Sequence, residues 1–355
     1  MSLTFSMTGK TRQKSPRYSL NYGPVKNVIL FTNARDEKNI KEWVAHHLLL
    51  GFHTIVIFDH KSQVPISYLL RGFDRRVIVI RCMWNNPVKL RLMQKAIGLS
   101  RSIRADWMLY LDADEFLVLP RFKNVVDFLS RYKEYDSVSI NWLMFGTNNL
   151  IKDPEGLIID NFTRSSRTLD HHVKSFVRPM EAINAHNPHF FNIYEPSRRI
   201  GMNNHIVKVG SPFHSFPVNY LYAPAYIAHF VHQSEETYMK RKVLLPTDDT
   251  GAMRGDNRAQ VHSLYNDIEN LQVKSLYSEN LNKFLQIKDG RKGTEEIKET
   301  EEIKEIVDES KEMSEETKEI EEINETEEPD NKYENNTQTE EIEDACVLKE
   351  TIECL

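Results

Sequence analysis

Three cysteines are all that this chain of 355 residues contains. Cys82 lies inside an apolar run and Cys346 and Cys354 in a polar stretch, with neither metal-type spacing nor an even framework. The pattern gives no disulfide scaffold, and nothing in it indicates an oxidising compartment. Long hydrophobic runs are missing too: no segment reaches the roughly 18 apolar residues that a membrane span needs. Met1 to Leu20 is polar and basic and has no apolar centre of a signal peptide. A cytoplasmic protein without an integral membrane segment is expected. Also absent are a Gly-x-Gly-x-x-Gly loop and a Walker-type loop, which counts against a dinucleotide dehydrogenase and a P-loop phosphotransferase.

What is present suffices for a sizeable core, with 40% hydrophobic and 10% aromatic residues. The formal charge of -6 conceals an asymmetry, because Thr294 to Leu355 carries 25 acidic and 6 basic residues. The rest of the chain is therefore strongly basic. Such a body suits an anionic ligand such as a nucleotide diphosphate, although net sign alone does not separate this from a nucleic-acid or membrane-surface patch.

The apolar rhythm divides the chain into parts. Residues 1–24 read as a flexible leader closed by Gly23-Pro24, and residues 25–290 as the folded domain. Val28–Phe31, Thr54–Phe58, Val77–Ile80 and Trp107–Leu111 are short, wholly apolar strands. Between them, Ile40, Trp43, Val44, His47 and Leu48 form one helical stripe ended by Gly51, and Val88, Leu92, Ala96, Leu99 and Ile103 mark a longer helix. Buried strands alternating with helices predict an α/β fold: a doubly wound, mostly parallel sheet with helices on both faces. Residues 25–120 would form the nucleotide-binding half. Residues 121–290, with a strand at Val138–Phe145 and helices near 124–132, 234–243 and 261–285, would bind the second substrate. After Gly290 the composition turns to Glu, Lys, Thr and Ile, and 291–355 is expected to be a disordered acidic tail. A coiled coil there is disfavoured, since the positions facing Ile306, Met313 and Ile320 are poorly filled. The tail would shield the basic body or dock a basic partner.

Asp112-Ala-Asp114-Glu115-Phe116 carries the chemistry. It follows the fourth apolar strand directly, and ligands of parallel sheets gather at the carboxyl ends of strands. Two carboxylates at such a place can hold Mn²⁺ or Mg²⁺ against a diphosphate, because hard cations prefer oxygen ligands and keep positions open for phosphate. Asn33 to Glu37 and Asp59 to Ser62 end the first and second strands and converge on the same crevice.

Several motifs in order resemble the family-92-like glycosyltransferases and related family-2-like domains, which adopt the GT-A fold. They are Asn33-Ala-Arg35-Asp36-Glu37; Glu42-Trp43-Val44-Ala-His46-His47; Asp59-His-Lys-Ser62; Gln94 with Trp107 and Asp112-Ala-Asp114-Glu115-Phe116; Trp142-Leu-Met-Phe145-Gly146; Lys174-Ser-Phe-Val-Arg178-Pro179; and Ala228-His229-Phe230 with Ser234-Glu-Glu236 and Lys240. The resemblance covers about residues 27 to 245. One departure is that Gln63-Val64-Pro65 follows Ser62, where the family usually has an Asp, so the residue that holds uridine or ribose stays open.

The resemblance implies a metal-dependent, inverting glycosyltransferase moving a sugar from a nucleotide-sugar donor, a UDP-sugar foremost, to a glycan or glycoconjugate acceptor, with no nucleic acid as partner. It implies Asp114 as direct metal ligand, Asp112 on the metal or ribose, and His229 as third ligand, with His232 as competitor. Glu115 would orient the loop or an acceptor hydroxyl. Asn33, Arg35, Glu37, Asp59 and Gln94 would meet the nucleotide, and Lys174, Arg178 and Lys240 the phosphates or acceptor. For the base that deprotonates the acceptor, Glu115, Asp153, Glu155, Asp160 and Asp170 are all eligible by type. Two alternatives remain: a non-catalytic glycan- or nucleotide-binding module of the same fold, and a sugar-nucleotidyltransferase, which normally opens with a Gly-rich basic loop that is missing after Val28–Phe31.

Overall fold

The computed structural model describes residues 22–207, 213–214 and 218–292; the acidic tail and most of the leader lie outside the described residues. The strands are β1 (Val28–Ala34), β2 (Thr54–His60), β3 (Val77–Cys82), β4 (Trp107–Tyr110), β5 (Glu115–Val118), β6 (Ser137–Met144), β7 (Arg164–Ser165), β8 (Val173–Val177), β9 (Ala182–Asn187), β10 (Phe190–Ile193), β11 (Arg199–Gly201), β12 (Tyr226–His229) and β13 (Ile268–Glu269). The helices are α1 (Ile40–Leu49), α2 (Ile66–Leu69), α3 (Lys89–Ser102), α4 (Val125–Leu129), α5 (Ile158–Asn161), α6 (Glu235–Tyr238), α7 (Arg258–Val261) and α8 (Gln272–Lys292).

The central sheet runs β3-β2-β1-β4-β8-β6-β12-β5, with β11 added to β6. Its first four strands are parallel, and β8 and β5 are antiparallel to their neighbours. Both faces are covered, which is why the stretches Val28–Phe31, Ile55–Phe58 and Trp107–Tyr110 are apolar at every position instead of alternating. Val28 and Leu30 of β1 join the core that holds Trp43, Val44 and Leu48 of α1. Ile29 and Phe31 join the opposite core, with Leu92, Met93, Ala96 and Ile97 of α3. The mixed α/β layout with helices on both faces is thus the one expected.

Helix α1 does more than cover the sheet. Trp43 donates its indole N–H to the Glu115 carbonyl at 2.8 Å, His46 Nε2 lies 2.8 Å from the Leu117 carbonyl, and His47 Nε2 accepts from the Leu117 N–H at 3.3 Å. Burial holds His46 neutral, lowering it to about 4, so it acts as a fixed donor. The Glu42 carboxylate accepts from the N–H groups of Ile158 and Ile159 at 2.7 and 3.1 Å. The Glu42–His47 motif therefore clamps β5 and the start of α5. Gly51 ends the helix at φ +88°, with a hypothetical Cβ 3.2 Å from Asn124, so only glycine fits comfortably.

Two expected helices take another form. The segment 234–243 is α-helical only over Glu235–Tyr238 and then widens to a π-helical turn, Met239–Val243. The segment 261–285 is split, with α7 ending at Val261 and α8 running from Gln272 to Lys292.

Candidate active site

Leaving β4, the chain makes a tight turn through Asp112 and Asp114 and returns as β5. The turn is stapled twice: the Glu115 N–H donates to the Asp112 carbonyl at 3.0 Å, and the Glu115 carboxylate accepts from the Asp112 N–H at 2.9 Å. Strand β12 then lies antiparallel to β5, setting His229 opposite Glu115, and the Phe230 N–H donates to the Asp114 carbonyl at 2.9 Å. This register brings an imidazole more than a hundred residues away in sequence beside the acidic turn. His229 Nε2 lies 3.6 Å from Asp114 Oδ1.

Four cations answer the two aspartates. Lys89, at the start of α3, donates to Asp112, and Lys174 on β8 donates to it at 2.9 Å while standing 3.4 Å from Glu115. Lys242 donates to Asp114 at 3.1 Å, and Arg241 is 3.6 Å from Asp114 and 2.9 Å from Glu37. Burial raises both aspartates, but the ammonium groups of Lys174 and Lys89 outweigh this for Asp112. Lys242 and Arg241 do so for Asp114, and both stay well below the usual carboxylate range. Glu115 differs: burial lifts it to about 7 against the opposing pull of Lys174.

A cavity of about 170 Å³ opens over this turn, lined by Asn33, Arg35, Lys89, Asp112, Asp114, Arg241, Lys242, Asp248, Asp249 and Arg254 among others. Five of those side chains are basic and four acidic. A wider cavity of about 680 Å³ adjoins it, sharing Asp112, Pro188, Lys242, Asp249 and Arg254, and walled by Trp142, Lys174, His189, His229 and His232. A small polar cavity thus lies next to a broader aromatic-walled one.

The family profile described as glycosyltransferase family 92 matches residues 29–250, a span that includes most of the residues lining both cavities. The chain belongs to glycosyltransferase family 92. A glycosyltransferase family 92 protein of Oryza sativa subsp. japonica is 24% identical over 184 residues, covering 50% of this chain and 31% of that protein. The chain thus spans about a third of the length of that curated relative. Among solved structures, S. aureus TarS 1-349 aligns at 13% identity and a TM-score of 0.30, over 43% of this chain and 47% of that one. The same protein in complex with UDP aligns at 12% identity, with the same TM-score and coverage.

In this family-92 chain the structure brings Asn33, Arg35, Asp112, Asp114, Lys174 and His229 onto the two cavities, with Glu37 and Glu115 buried just behind. It places four other expected site residues elsewhere. Arg178 lines neither cavity: its guanidinium donates to the Tyr135 and Lys133 carbonyls and stacks over Trp107 and Tyr22. Lys240 points outward to Glu236 at 2.7 Å, because the π-helical turn directs its neighbours Arg241 and Lys242 to Asp114 instead. Gln94 accepts from the Ala185 N–H at 3.2 Å on the outer side of α3. Asp59 holds its own turn through the N–H groups of Ser62 and Ile66 and the Arg81 guanidinium. Tyr22, in the expected leader, hydrogen bonds to Asp136 and Glu181.

Lys89, Arg241, Lys242, Asp248 and Asp249 were not singled out from sequence. Asp248 accepts from the Asn33 side-chain amide at 2.6 Å, and its carbonyl accepts from the N–H groups of Val88 and Lys89 at 2.9 Å, strapping the late chain across the cavity. The pair Asp248-Asp249 between Pro246 and Gly251 was the available signal. Among the eligible bases, Asp153 is held by Ser234, Thr237 and Lys38, and Asp170 by His172. Neither lines the cavities, nor do Glu155 and Asp160.

Proposed function

We propose that the chain transfers a sugar from a nucleoside-diphosphate donor, a UDP-sugar, to a glycan or glycoconjugate, with a divalent cation, Mn²⁺ or Mg²⁺, and with inversion at the anomeric carbon. The observation that carries the reading is the acidic turn on the floor of a cation-ringed cavity at the carboxyl end of β4. The pyrophosphate fits there against Lys89, Arg241, Lys242 and Arg35, and the basic side chains stabilise charge as it develops on the leaving group.

The residues present also fit a cation. Asp114 Oδ1 is buried and without a hydrogen-bond partner, and the nearest imidazole nitrogen, His229 Nε2, is 3.6 Å away. Carboxylate and imidazole are a donor set that Mn²⁺ accepts. One extra positive charge among the lining side chains is less than a pyrophosphate carries, so a divalent cation also improves the charge balance. Asp114 and His229 would hold it, and it would supply Lewis-acid stabilisation of the departing diphosphate. Asp112, saturated by two lysines, is better suited to the ribose or to a bridging water. Among the described residues, the trio whose donor atoms already lie within 4.8 Å of one another is a different one, Asp170, His171 and His172. Inversion is the consistent stereochemistry because the floor acids are held by cations and none is free to attack as a nucleophile.

Calorimetry of UDP binding with and without Mn²⁺, together with hydrolysis assays on a panel of UDP-hexoses, tests this reading. Binding should strengthen with Mn²⁺, and Asp114→Asn should remove that dependence and lower turnover by at least about 100-fold. An Asp114→Asn protein that binds and turns over like the wild type would refute the site. Binding with no turnover on any donor would favour the non-catalytic module.

A further inference from the structure

We propose that Asp249 is the catalytic base, taking the proton of the acceptor hydroxyl where the two cavities meet. The assignment rests on the glycosyltransfer reading above. Asp249 is one of few side chains lining both the small polar cavity and the wider aromatic-walled one. Among the described residues no hydrogen bond or ion pair engages its side chain, in contrast to Asp112, Asp114 and Glu115 on the floor. A base needs a lone pair free for the incoming hydroxyl and a position within one hydrogen bond of it.

The backbone keeps that position. Asp249 lies within the turn Thr247–Ala252, closed by the Thr247 N–H to the Ala252 carbonyl at 3.0 Å and the Gly251 N–H to the Thr247 carbonyl at 2.8 Å. Gly251 adopts φ +72°, and Thr247 and Thr250 share a hydroxyl hydrogen bond of 2.6 Å. Asp248, one residue earlier, is tied to Asn33 and to the start of α3. The charged groups that line both cavities together with Asp249 are Lys242, Arg254 and Asp112, and Asp248 lines the small one.

The competing groups are less suited. His189 and His232 wall the wider cavity only and do not line the small polar one, and His189 Nδ1 is already engaged with the Val173 carbonyl at 3.0 Å. His229 is the cation ligand of the reading above. In the step, the acceptor oxygen forms its bond to the anomeric carbon as the bond to the diphosphate oxygen breaks. The electron pair leaves with the diphosphate, and the hydroxyl proton passes to Asp249.

The test uses the full chain with Mn²⁺ and UDP-hexoses, water serving as acceptor, and compares wild type, Asp249→Asn and Asp249→Glu. Asn should lower kcat about 100-fold or more, leave the calorimetric Kd for UDP within about threefold, and abolish the acid limb of the pH–kcat profile. Glu should restore part of the rate and the limb. An Asn variant with wild-type kcat, or one whose UDP affinity falls in step with kcat, overturns the assignment while the glycosyltransfer reading stands. A wild type that neither binds UDP nor turns over any donor overturns both.

Discussion

Replacing Lys174 by methionine keeps the aliphatic stem and deletes an ammonium that is 1% exposed and lies between Asp112, at 2.9 Å, and Glu115, at 3.4 Å. Removing one member of a buried ion pair costs about 3–5 kcal/mol, because the remaining charge stays buried without compensation. Two features place this case at the low end. Asp112 keeps Lys89 and is 35% exposed. Glu115 has an escape, since its carboxyl already sits at about 7 and rises further once Lys174 no longer opposes burial. A buried acid with a raised folded value favours the fold while it holds its proton, and this stability is lost as pH climbs from the unfolded value of 4.5 to the folded one. In the wild type that loss is largely complete soon above pH 7. In the variant it continues, at up to about 1.4 kcal/mol per pH unit. Urea unfolding followed by tryptophan fluorescence at pH 6, 7 and 8 should show Lys174→Met destabilised by about 3 kcal/mol at pH 8 and clearly less at pH 6. Adding Glu115→Gln should flatten the difference. A loss below about 1 kcal/mol at pH 8, or one equal at all three values, would refute the idea that this ammonium compensates Glu115.

Two further outcomes separate neighbours in sequence and probe a tight contact. Arg241→Ala and Lys242→Ala should each weaken UDP binding by at least about tenfold in calorimetry, as expected for lost charge-assisted contacts, whereas Lys240→Ala should leave it unchanged; a matching loss for Lys240 would contradict the π-helical turn. Gly146→Ala would place a Cβ 2.4 Å from Asn266 Oδ1 and 2.7 Å from the Tyr265 carbonyl. That overpacking should cost about 1–3 kcal/mol, visible as a lowered Tm, and an unchanged melting curve would disprove the contact.

The first four strands, with helices α1 and α3 between them, are legible from sequence because burial on both faces leaves an unbroken apolar signature in Val28–Phe31 and Thr54–Phe58. Asp112 and Asp114 are legible because strand ends are where parallel sheets bind. Arg178 misled because motif resemblance does not show that its guanidinium is taken by the Tyr135 and Lys133 carbonyls. Lys240 misled because a continuous helix was assumed where the turn widens, and the wider turn shifts the phase that carries Arg241 and Lys242 inward. Lys89 and Asp248 were invisible for a simpler reason: they meet Asn33, and Lys89 meets Asp112, only in the fold, and the two are joined across more than 150 residues, a link that no local pattern encodes.

Strand β12, threaded between β6 and β5, has a consequence for how the protein is born. Closing contacts over so long a separation is entropically slow, and a chain emerging amino-terminus first has its parallel strands long before it makes Tyr226–His229. Until that late segment docks, the acidic turn has no imidazole beside it and no strap above it. Nucleotide affinity should thus appear only as the final act of maturation, and a ligand that grips the finished pocket would hold the last-arriving strand in place.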